Sequence, residues 1–262
     1  MLKKRLIPVL LLQNGMLVRS EEFRIHQVIG NPIHEVERFN QWNVDELIYL
    51  DISTSDDYDQ RRDDHRVKPL TDPLTILDAV SRTCFMPLTW GGRIRTLDDI
   101  RERLLRGADK VALNTAAFQT PWIVTEAARQ FGSQAIVVSM DVFQLPDGRQ
   151  EVYIEGGRLP TGLTPEMWAA EIERLGAGEI LLQHVQRDGT ARGYDLDLIS
   201  SVSSCTSIPV IACSGVGRYE DYATGIRAGA SAVAAANIWH FKEMADRGGK
   251  RALAKAGIDV RL

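Results

Sequence analysis

The sequence has little cysteine. Three cysteines occur among 262 residues, Cys84, Cys205 and Cys213, and none of them stands in CxxC spacing. An odd number without that spacing indicates neither a disulfide framework nor a zinc site, and no other residue pattern indicates a metal or a cofactor. Because disulfide-rich chains belong to oxidising compartments, we expect this protein to be cytoplasmic.

Long hydrophobic runs are also missing. A basic start followed by the apolar residues 6–12 is how a secretory signal opens. Pro8 interrupts that run, however, and polar Gln13 and Asn14 follow without a small-x-small cleavage site. No other segment approaches the roughly 18 uninterrupted apolar residues of a membrane span. We therefore expect a soluble chain without a membrane partner, in which residues 6–12 form a buried strand.

An excess of positive charge is absent as well. The formal net charge is −4 and the sequence pI is about 5.8, so the chain lacks the overall basic character typical of nucleic-acid-binding proteins. No linker rich in Pro, Gly or Ser divides the chain. We therefore predict one domain spanning residues 1–262 and no nucleic-acid partner.

Instead, the sequence has a regular series of short apolar runs separated by helical patterns. Apolar strands that alternate with helices indicate a parallel sheet covered on both faces, and eight of them are typical of a closed (β/α)8 TIM barrel. Three intervening segments, 32–42, 96–107 and 165–178, have the three- and four-residue apolar spacing of amphipathic helices. The predicted strands are residues 5–12, 45–52, 85–92, 110–115, 135–142, 179–185, 209–215 and 232–238.

Two segments of the second half resemble segments of the first. GADKVALNTAAF (107–118) resembles GASAVAAANIWHF (229–241), at an offset of 122 residues, and DELIYLD (45–51) resembles GEILLQH (178–184), at an offset of 133. These similarities predict a half-barrel repeat and an active site with two-fold pseudosymmetry.

Glycine, hydroxyl and amide residues end four of the predicted strands. Gly91-Gly92 and Asn114-Thr115 end the third and fourth strands, and Ser214-Gly215 and Ala236-Asn237 end the seventh and eighth. Glycines let backbone N–H groups approach an anion, and the side chains add donors, as barrel phosphate sites require. One site in each half would suit a substrate with a phosphate at each end. The alternative is that these glycines serve only as tight turns.

Three aspartates follow strands, where a barrel places its acid–base chemistry. Asp141 ends the fifth strand, Asp51 ends the second, and Asp188 precedes Gly189 in QRDGT beyond the sixth. Burial tunes such a carboxylate towards neutral pH for acid–base work, whereas the structural alternative is an acceptor for loop amides. Superimposing the halves pairs Asp141 with Leu11, so a mechanism with two facing carboxylates lacks one partner.

Four charged residues begin strands at the opposite end of the predicted barrel: Arg5, Glu46, Lys110 and Glu179. Charges that enter the bottom of an apolar barrel need partners. They predict either a salt-bridged plug or a gated pore.

A polar stretch, residues 54–68, follows the second strand on the active-site side of the barrel. Its composition, rich in Asp and Arg, fits two interpretations equally: a solvated loop or a substrate lid.

These segments resemble one family from end to end of the chain, the cyclase (synthase) subunit of imidazole glycerol phosphate synthase. The segments that carry the resemblance are RLIPVLLLQNG, DELIYLDIS, PLTWGG, RGADKVALNTAAF, FGSQAIVVSMDV, GAGEILLQHVQRDGT, GYDLDLI, IPVIACSGVG and GIDVRL.

The resemblance implies a partner protein. In that family a glutaminase docks on the N-terminal face of the barrel and releases ammonia, which passes through the barrel to a phosphorylated substrate at the opposite face. Arg5, Glu46, Lys110 and Glu179 match the family's gate, and Asp109 matches a residue that faces the glutaminase. The resemblance therefore implies a heterodimer with a glutaminase subunit.

The active-site motifs match less completely. Asp141 falls on one of the family's two catalytic aspartates, but Leu11 stands where the other belongs. A lost carboxylate beside an intact gate suggests that the ammonia conduit is kept and the cyclisation is not. The further departures are Arg93 and Ser214 in place of glycines of the phosphate loops, Asn237 in place of a serine, Arg19 in place of a lysine of the first loop, and Gln186 in place of an aspartate.

Such divergent barrels resemble the cyclase-like proteins of surface-polysaccharide pathways, which help to supply ammonia to an N-acetyl sugar amidotransferase. This hypothesis predicts a small phosphorylated substrate or a nucleotide sugar as ligand. One alternative is a true cyclase of histidine biosynthesis, although leucine cannot transfer a proton. A second is a non-catalytic ammonia conduit or scaffold, and a third is the related phosphoribosyl isomerase, which needs no glutaminase and therefore no gate.

Overall fold

The computed structural model describes residues 3–42, 44–55, 57–59, 70 and 72–261. Within them, the strands in chain order are β1 (Arg5–Gln13), β2 (Met16–Glu21), β3 (Ile25–Gly30), β4 (Leu47–Asp51), β5 (Leu88–Gly91), β6 (Lys110–Leu113), β7 (Ile136–Gln144), β8 (Gln150–Ile154), β9 (Leu159–Pro160), β10 (Glu179–His184), β11 (Val210–Cys213) and β12 (Ala232–Ala235).

Eight of these strands close into a barrel. Parallel pairing runs through β1, β4, β5, β6, β7, β10, β11 and β12, and β12 pairs with β1 to close the circle. The predicted (β/α)8 TIM barrel is confirmed, and each of the eight predicted strands is present. Several are shorter than predicted, as in β5, where the apolar run of 85–92 contains a strand of only four residues.

Helices lie between the barrel strands. Their bounds are α1 (Pro32–Gln41), α2 (Pro73–Thr83), α3 (Leu97–Leu105), α4 (Thr115–Gln119), α5 (Trp122–Phe131), α6 (Pro165–Leu175), α7 (Leu196–Ser204), α8 (Glu220–Arg227), α9 (Ile238–Phe241) and α10 (Ala245–Lys255), with 3-10 turns at Ser133–Ala135 and Val185–Arg187.

Local capping fixes where the predicted helices begin. The Asn31 side chain accepts from the Ile33 N–H ahead of α1, and Thr164 accepts from the Met167 N–H ahead of α6. At α3, Thr96 and Asp99 each accept from the other's backbone N–H, which forms a capping box. These side chains satisfy N–H groups that the helix itself leaves unpaired.

Two antiparallel hairpins extend from equivalent barrel strands. β1 continues into β2 and β3, and β7 continues into β8 and β9. β1 and β7 are the first and fifth barrel strands and each has nine residues. The two halves therefore carry the same elaboration at the same point, in agreement with the predicted repeat.

Side chains on each barrel strand alternate between two apolar clusters. Along β1, Leu6, Leu10 and Leu12 pack towards the helices, whereas Ile7 and Leu11 belong to the cluster inside the barrel. The other members of the inner cluster include Val9, Ile48, Leu50, Ala112, Val137, Leu181, Ile211 and Cys213. The barrel interior is thus aliphatic over most of its length. In the described residues, no helix has the length and apolarity to span a membrane.

Candidate functional site

The four charged residues at the N-terminal end of the barrel form a closed ring of ion pairs. Arg5 Nη1 lies 2.6 Å from Glu46 Oε1, and Arg5 Nη2 lies 2.8 Å from Glu179 Oε1. Lys110 Nζ lies 3.1 Å from Glu46 Oε2 and 2.9 Å from Glu179 Oε2. Positive and negative side chains therefore alternate around this charged ring, each touching both neighbours.

Burial and charge act against each other at Arg5. Burial lowers the pKa of the guanidinium, but the Glu46 and Glu179 carboxylates outweigh it, so that the pKa lies above its ordinary value. Ion pairs that are mostly removed from water need this mutual compensation.

A further ion pair, outside the ring, fixes the strands that carry it. Asp45 Oδ2 accepts from the Leu6 N–H at 2.8 Å, and Asp45 Oδ1 accepts from Lys250 Nζ at 3.1 Å. Asp45 precedes Glu46 and Leu6 follows Arg5, so this contact sets the two ring residues side by side. Lys250 ties helix α10 to the same point, and both side chains are at least nine-tenths buried.

Asp141 lies at the other end of the barrel, in β7, and is 4% exposed. Its neighbour in register is Gln183 of β10, whose Nε2 donates to Asp141 Oδ1 at 3.1 Å and to Ser139 Oγ at 3.1 Å. Burial raises the pKa of Asp141 to about 7, although hydrogen bonds from Gln183 and Ser139 favour the charged form. A carboxyl group with that pKa can both accept and donate a proton near neutral pH.

Leu11 completes the inner face of β1 at the same end of the barrel. It is 7% exposed and belongs to the aliphatic inner cluster. Its position in the strand alternation points the side chain inward, as Asp141 points inward from β7. The first half of the barrel therefore has the aliphatic side chain of Leu11 at the position where the second half has the titratable carboxyl group of Asp141.

Asp188 lies beside a small cavity of the second half. Burial raises the pKa of Asp188 to about 6, opposed by hydrogen bonds from Ser20 and the Phe23 N–H. The cavity is lined by Asp188, Gly189, Cys213, Ser214, Gly215, Val216, Ala235, Ala236 and Asn237. The structure thus brings together six predicted residues of the second half: Asp188, Gly189, Ser214, Gly215, Ala236 and Asn237.

Two glycines in this region have no room for a side chain. A Cβ at Gly215, whose φ is 90°, would lie 2.3 Å from the Gly193 carbonyl oxygen, and a Cβ at Gly189 would lie 2.2 Å from the Ser20 carbonyl oxygen. The Asn237 amide also donates to that Ser20 oxygen at 2.8 Å. Close backbone packing therefore holds the β2 strand against the cavity.

In the first half, Asp51 takes hydrogen bonds from its own half of the barrel. Its Oδ2 accepts from the Tyr58 hydroxyl at 2.7 Å, and its Oδ1 accepts from Ser53 Oγ at 2.6 Å and from the Ser53 N–H at 3.0 Å. Arg93 Nη1 lies 3.9 Å from Asp51 Oδ2, and its guanidinium carbon is 5.3 Å from the centre of the Tyr58 ring. A Cβ at Gly92 would collide with the Asp51 carbonyl oxygen.

The other predicted residues of the first half also have protein partners. Asn114 Nδ2 donates to the Ser139 carbonyl at 3.0 Å, and Thr115 Oγ1 accepts from the Glu155 N–H at 3.0 Å. Arg19 Nε donates to Gln27 Oε1 at 2.7 Å within the β2–β3 hairpin, and its guanidinium lies 5.7 Å from the Phe241 ring centre.

Asp109 lies at the opposite face, directly before Lys110. It is exposed, and its Oδ2 accepts from the Leu88 N–H at 2.8 Å. The exposed carboxylate therefore sits at the N-terminal face, beside the charged ring. Most of the 54–68 stretch lies outside the described residues, so both interpretations of it stay predictions.

Comparison with known proteins identifies the family. The sequence model of the family described as histidine biosynthesis protein matches residues 5–245. The imidazole glycerol phosphate synthase subunit HisF of Gluconacetobacter diazotrophicus is 44% identical over 264 residues, which cover 100% of this chain and 97% of that relative.

The chain belongs to the histidine biosynthesis protein family. It is similar to HisF over its whole length, so the resemblance to the cyclase subunit is confirmed at the level of the family. The predicted departures at Leu11, Arg93, Ser214 and Asn237 stay predictions.

Sequence reasoning missed three residues of the site: Gln183, Ser139 and Tyr58. Gln183 and Ser139 follow the same inward alternation as Asp141, which was the available signal, but their contact depends on the register between β7 and β10. Tyr58 lies in the polar stretch and is buried by its contact with Asp51.

A larger cleft, of about 570 Å³, lies on the outer side of the β7–β8 hairpin. None of the predicted mouth residues lines it. Arg187 and the α7 N-cap Asp195 do, and Asp195 Oδ2 lies 3.4 Å from His184 Nε2.

Proposed function

We propose that this chain is the synthase subunit of a glutamine-dependent amidotransferase. A glutaminase docks on the N-terminal face, and its ammonia enters at the charged ring, crosses the aliphatic interior and reacts at the mouth that holds Asp141. The acceptor is an N-acetyl sugar of a surface-polysaccharide pathway, handled together with an N-acetyl sugar amidotransferase, and the complex works in the cytoplasm.

One observation carries this proposal: Leu11 lies on the inner face of β1 while the charged ring is complete. Ring closure in this family uses two catalytic aspartates, and an aliphatic side chain cannot move a proton. The ring, by contrast, keeps all four ion pairs. Ammonia delivery and cyclisation are therefore separable here.

Asp141 supplies the remaining acid–base group. With a pKa of about 7, it is part carboxylate and part carboxylic acid near neutral pH. Attack of ammonia on an electrophilic carbon leaves a surplus proton on nitrogen, which a buried carboxylate can accept. Gln183 holds the carboxylate oriented for this role.

The second candidate is a true cyclase of histidine biosynthesis. The 44% identity to HisF over the whole chain favours it. In that case another group would have to replace the carboxylate lost at position 11.

The deciding experiment supplies purified protein with saturating ammonia and the phosphoribosyl substrate of the histidine pathway, and follows loss of that substrate by absorbance. We expect no turnover from folded protein that still binds a glutaminase. Turnover would refute the proposal and establish the cyclase.

A third candidate is a non-catalytic ammonia conduit. Ligand binding distinguishes it from the proposed synthase subunit. A mouth without a substrate site would take up neither sugar phosphate nor nucleotide sugar. We expect binding of one of them, measured by isothermal titration calorimetry, and Asp141→Asn should abolish amination without unfolding the barrel.

A further inference from the structure

The carboxyl group of Asp141 uses its two oxygens differently. Its Oδ1 accepts from Gln183 Nε2 at 3.1 Å and from Ser139 Oγ at 3.3 Å. Within the part of the chain that the structure describes, no group donates to Asp141 Oδ2 or to Gln183 Oε1. Both side chains point into the barrel, because they lie an even number of residues beyond Val137 and Leu181 of the inner cluster. The mouth therefore has two free acceptor oxygens at neighbouring strands.

Asp188 adds a third acceptor on the same side of the mouth. It is 7% exposed, and its Oδ2 is buried without a hydrogen-bond partner among the described residues. Asp188 and Cys213 line the same small cavity, and Cys213 pairs in register with Gln183. Burial is the main cause that raises the pKa of the Cys213 thiol, and the charges of Asp188 and Asp141 add to it. The two carboxyl groups therefore lie on either side of this thiol.

The charged groups that act on these two carboxyl groups are themselves acidic. Beyond the effect of burial, Asp188 raises the pKa of Asp141, and Glu21 raises the pKa of Asp188. In the first half, by contrast, Arg93 Nη1 lies 3.9 Å from Asp51 Oδ2. Buried carboxyl groups that face each other oppose each other's ionisation, and a cation between them would relieve this. An acceptor-rich, acidic site of this kind suits a positively charged hydrogen-bond donor.

Ser214 gives independent evidence that a polar ligand binds here. It lines the same cavity as Asp188, is 5% exposed, and its Oγ has no hydrogen-bond partner in the described residues. A buried hydroxyl is costly to leave unpaired. A ligand that contacts Asp188 from this cavity would also complete the hydrogen bonding of Ser214.

We propose that the mouth binds a planar amidinium group, held by Asp141 Oδ2, Gln183 Oε1 and Asp188 Oδ2. Replacing the oxygen of an N-acetyl group by the nitrogen of ammonia, with loss of water, gives an amidine that takes up a proton at neutral pH. The N–H groups of an amidinium lie in one plane and pair with carboxylates as a guanidinium does. This inference rests on the proposed function, and it names the form in which the aminated product is held.

The test titrates acetamidinium chloride into the purified, isotope-labelled full-length chain and follows the side-chain amide NMR signal of Gln183, which Gln183→Leu assigns. Acetamide has nearly the same shape without the charge, and ammonium has the charge without the plane. We expect acetamidinium to bind with a dissociation constant at least about tenfold below that of either, because charged hydrogen bonds are stronger than neutral ones and a planar donor can make two of them.

Asp188→Asn keeps the shape of the side chain but removes its charge. It should weaken acetamidinium binding about tenfold and leave acetamide unaffected, whereas the control Asp197→Asn, at an exposed position of α7, should change neither. Equal affinity of the wild type for acetamide or for ammonium would overturn the inference without any variant, and so would unchanged acetamidinium binding in folded Asp188→Asn. Failure of the proposed function shows separately, as turnover of the phosphoribosyl substrate.

Discussion

The side-chain amide of Gln183 donates to the carboxylate of Asp141 from the neighbouring barrel strand, at 3.1 Å. This hydrogen bond favours the ionised form, yet burial is the stronger influence and leaves the pKa of Asp141 at about 7. The opposing effects of burial and hydrogen bonding therefore leave the pKa of Asp141 close to neutral pH.

Asp141→Asn should make stability less dependent on pH. Because the folded-state pKa is raised from 3.8 to about 7, Asp141 contributes stability that is complete below about pH 4 and lost as pH rises through 7. This loss is on the order of 4 kcal/mol, from the free energy of one pKa unit. Denaturant unfolding from pH 4 to 8 should show the variant losing that much less stability than the wild type. The control Asp259→Asn, at an exposed position, should show the same dependence of stability on pH as the wild type. If Asp141→Asn also shows the wild-type dependence, the raised pKa of Asp141 is disproved.

Lys110→Ala should uncouple glutamine hydrolysis from amination in the complex with a glutaminase. The change removes two of the four ion pairs and leaves Arg5 as the one ring cation that Glu46 and Glu179 still share. Hydrolysis should continue while the ratio of amination to hydrolysis falls about tenfold or more. Product and glutamate are measured together, with the exposed Lys255→Ala as control. An unchanged ratio would show that the ring is a structural plug.

Leu11→Asp should reduce stability without restoring cyclisation. The new carboxylate would enter an aliphatic cluster beside Leu50 and Val9. We expect a loss of roughly 3 kcal/mol at pH 8, with less at pH 5, where the group is protonated. Urea unfolding gives the stability and the phosphoribosyl assay gives the activity, with Leu11→Met as a matched apolar control. Regained cyclisation would contradict the prediction.

Lys250→Ala should destabilise the barrel by about 3 kcal/mol, since it leaves the buried Asp45 carboxylate without its cation. Lys250→Met keeps the bulk of the side chain but removes its charge. If the ion pair provides the stability, this variant should lose a similar free energy of unfolding, whereas it should lose almost none if packing provides it. Thermal unfolding distinguishes the two. A loss below 1 kcal/mol in both variants would refute the role of the pair.

The barrel itself was predictable because its strands are short, apolar and evenly spaced. The hairpins were not, since β2–β3 and β8–β9 mix polar and apolar residues and pair in the sheet only with the barrel strand that each follows. The charged ring was found because each member lies at or directly before the start of a barrel strand, and strand starts in a barrel meet at one face.

The finer site needed contacts between distant segments. Arg93 was recognised as a departure from a glycine, but its placement over Tyr58 depends on how the segment after β4 folds back on the β5 turn. Gln183 was not predicted, because its hydrogen bond to Asp141 depends on the register between β7 and β10. The sequence of neither strand alone determines that register. Orphaned polar atoms around Ser214 likewise exist only once the cavity is formed.

The charged ring contains two cations and two anions, so it is electroneutral as a unit. On the proposed ammonia path, a passing molecule would therefore meet alternating charges whose fields largely cancel along the barrel axis, in contrast to the single-sign rings that select ions by attraction. A ring of this kind would favour a small uncharged solute, because a protonated solute of the same size loses more hydration free energy on the way through.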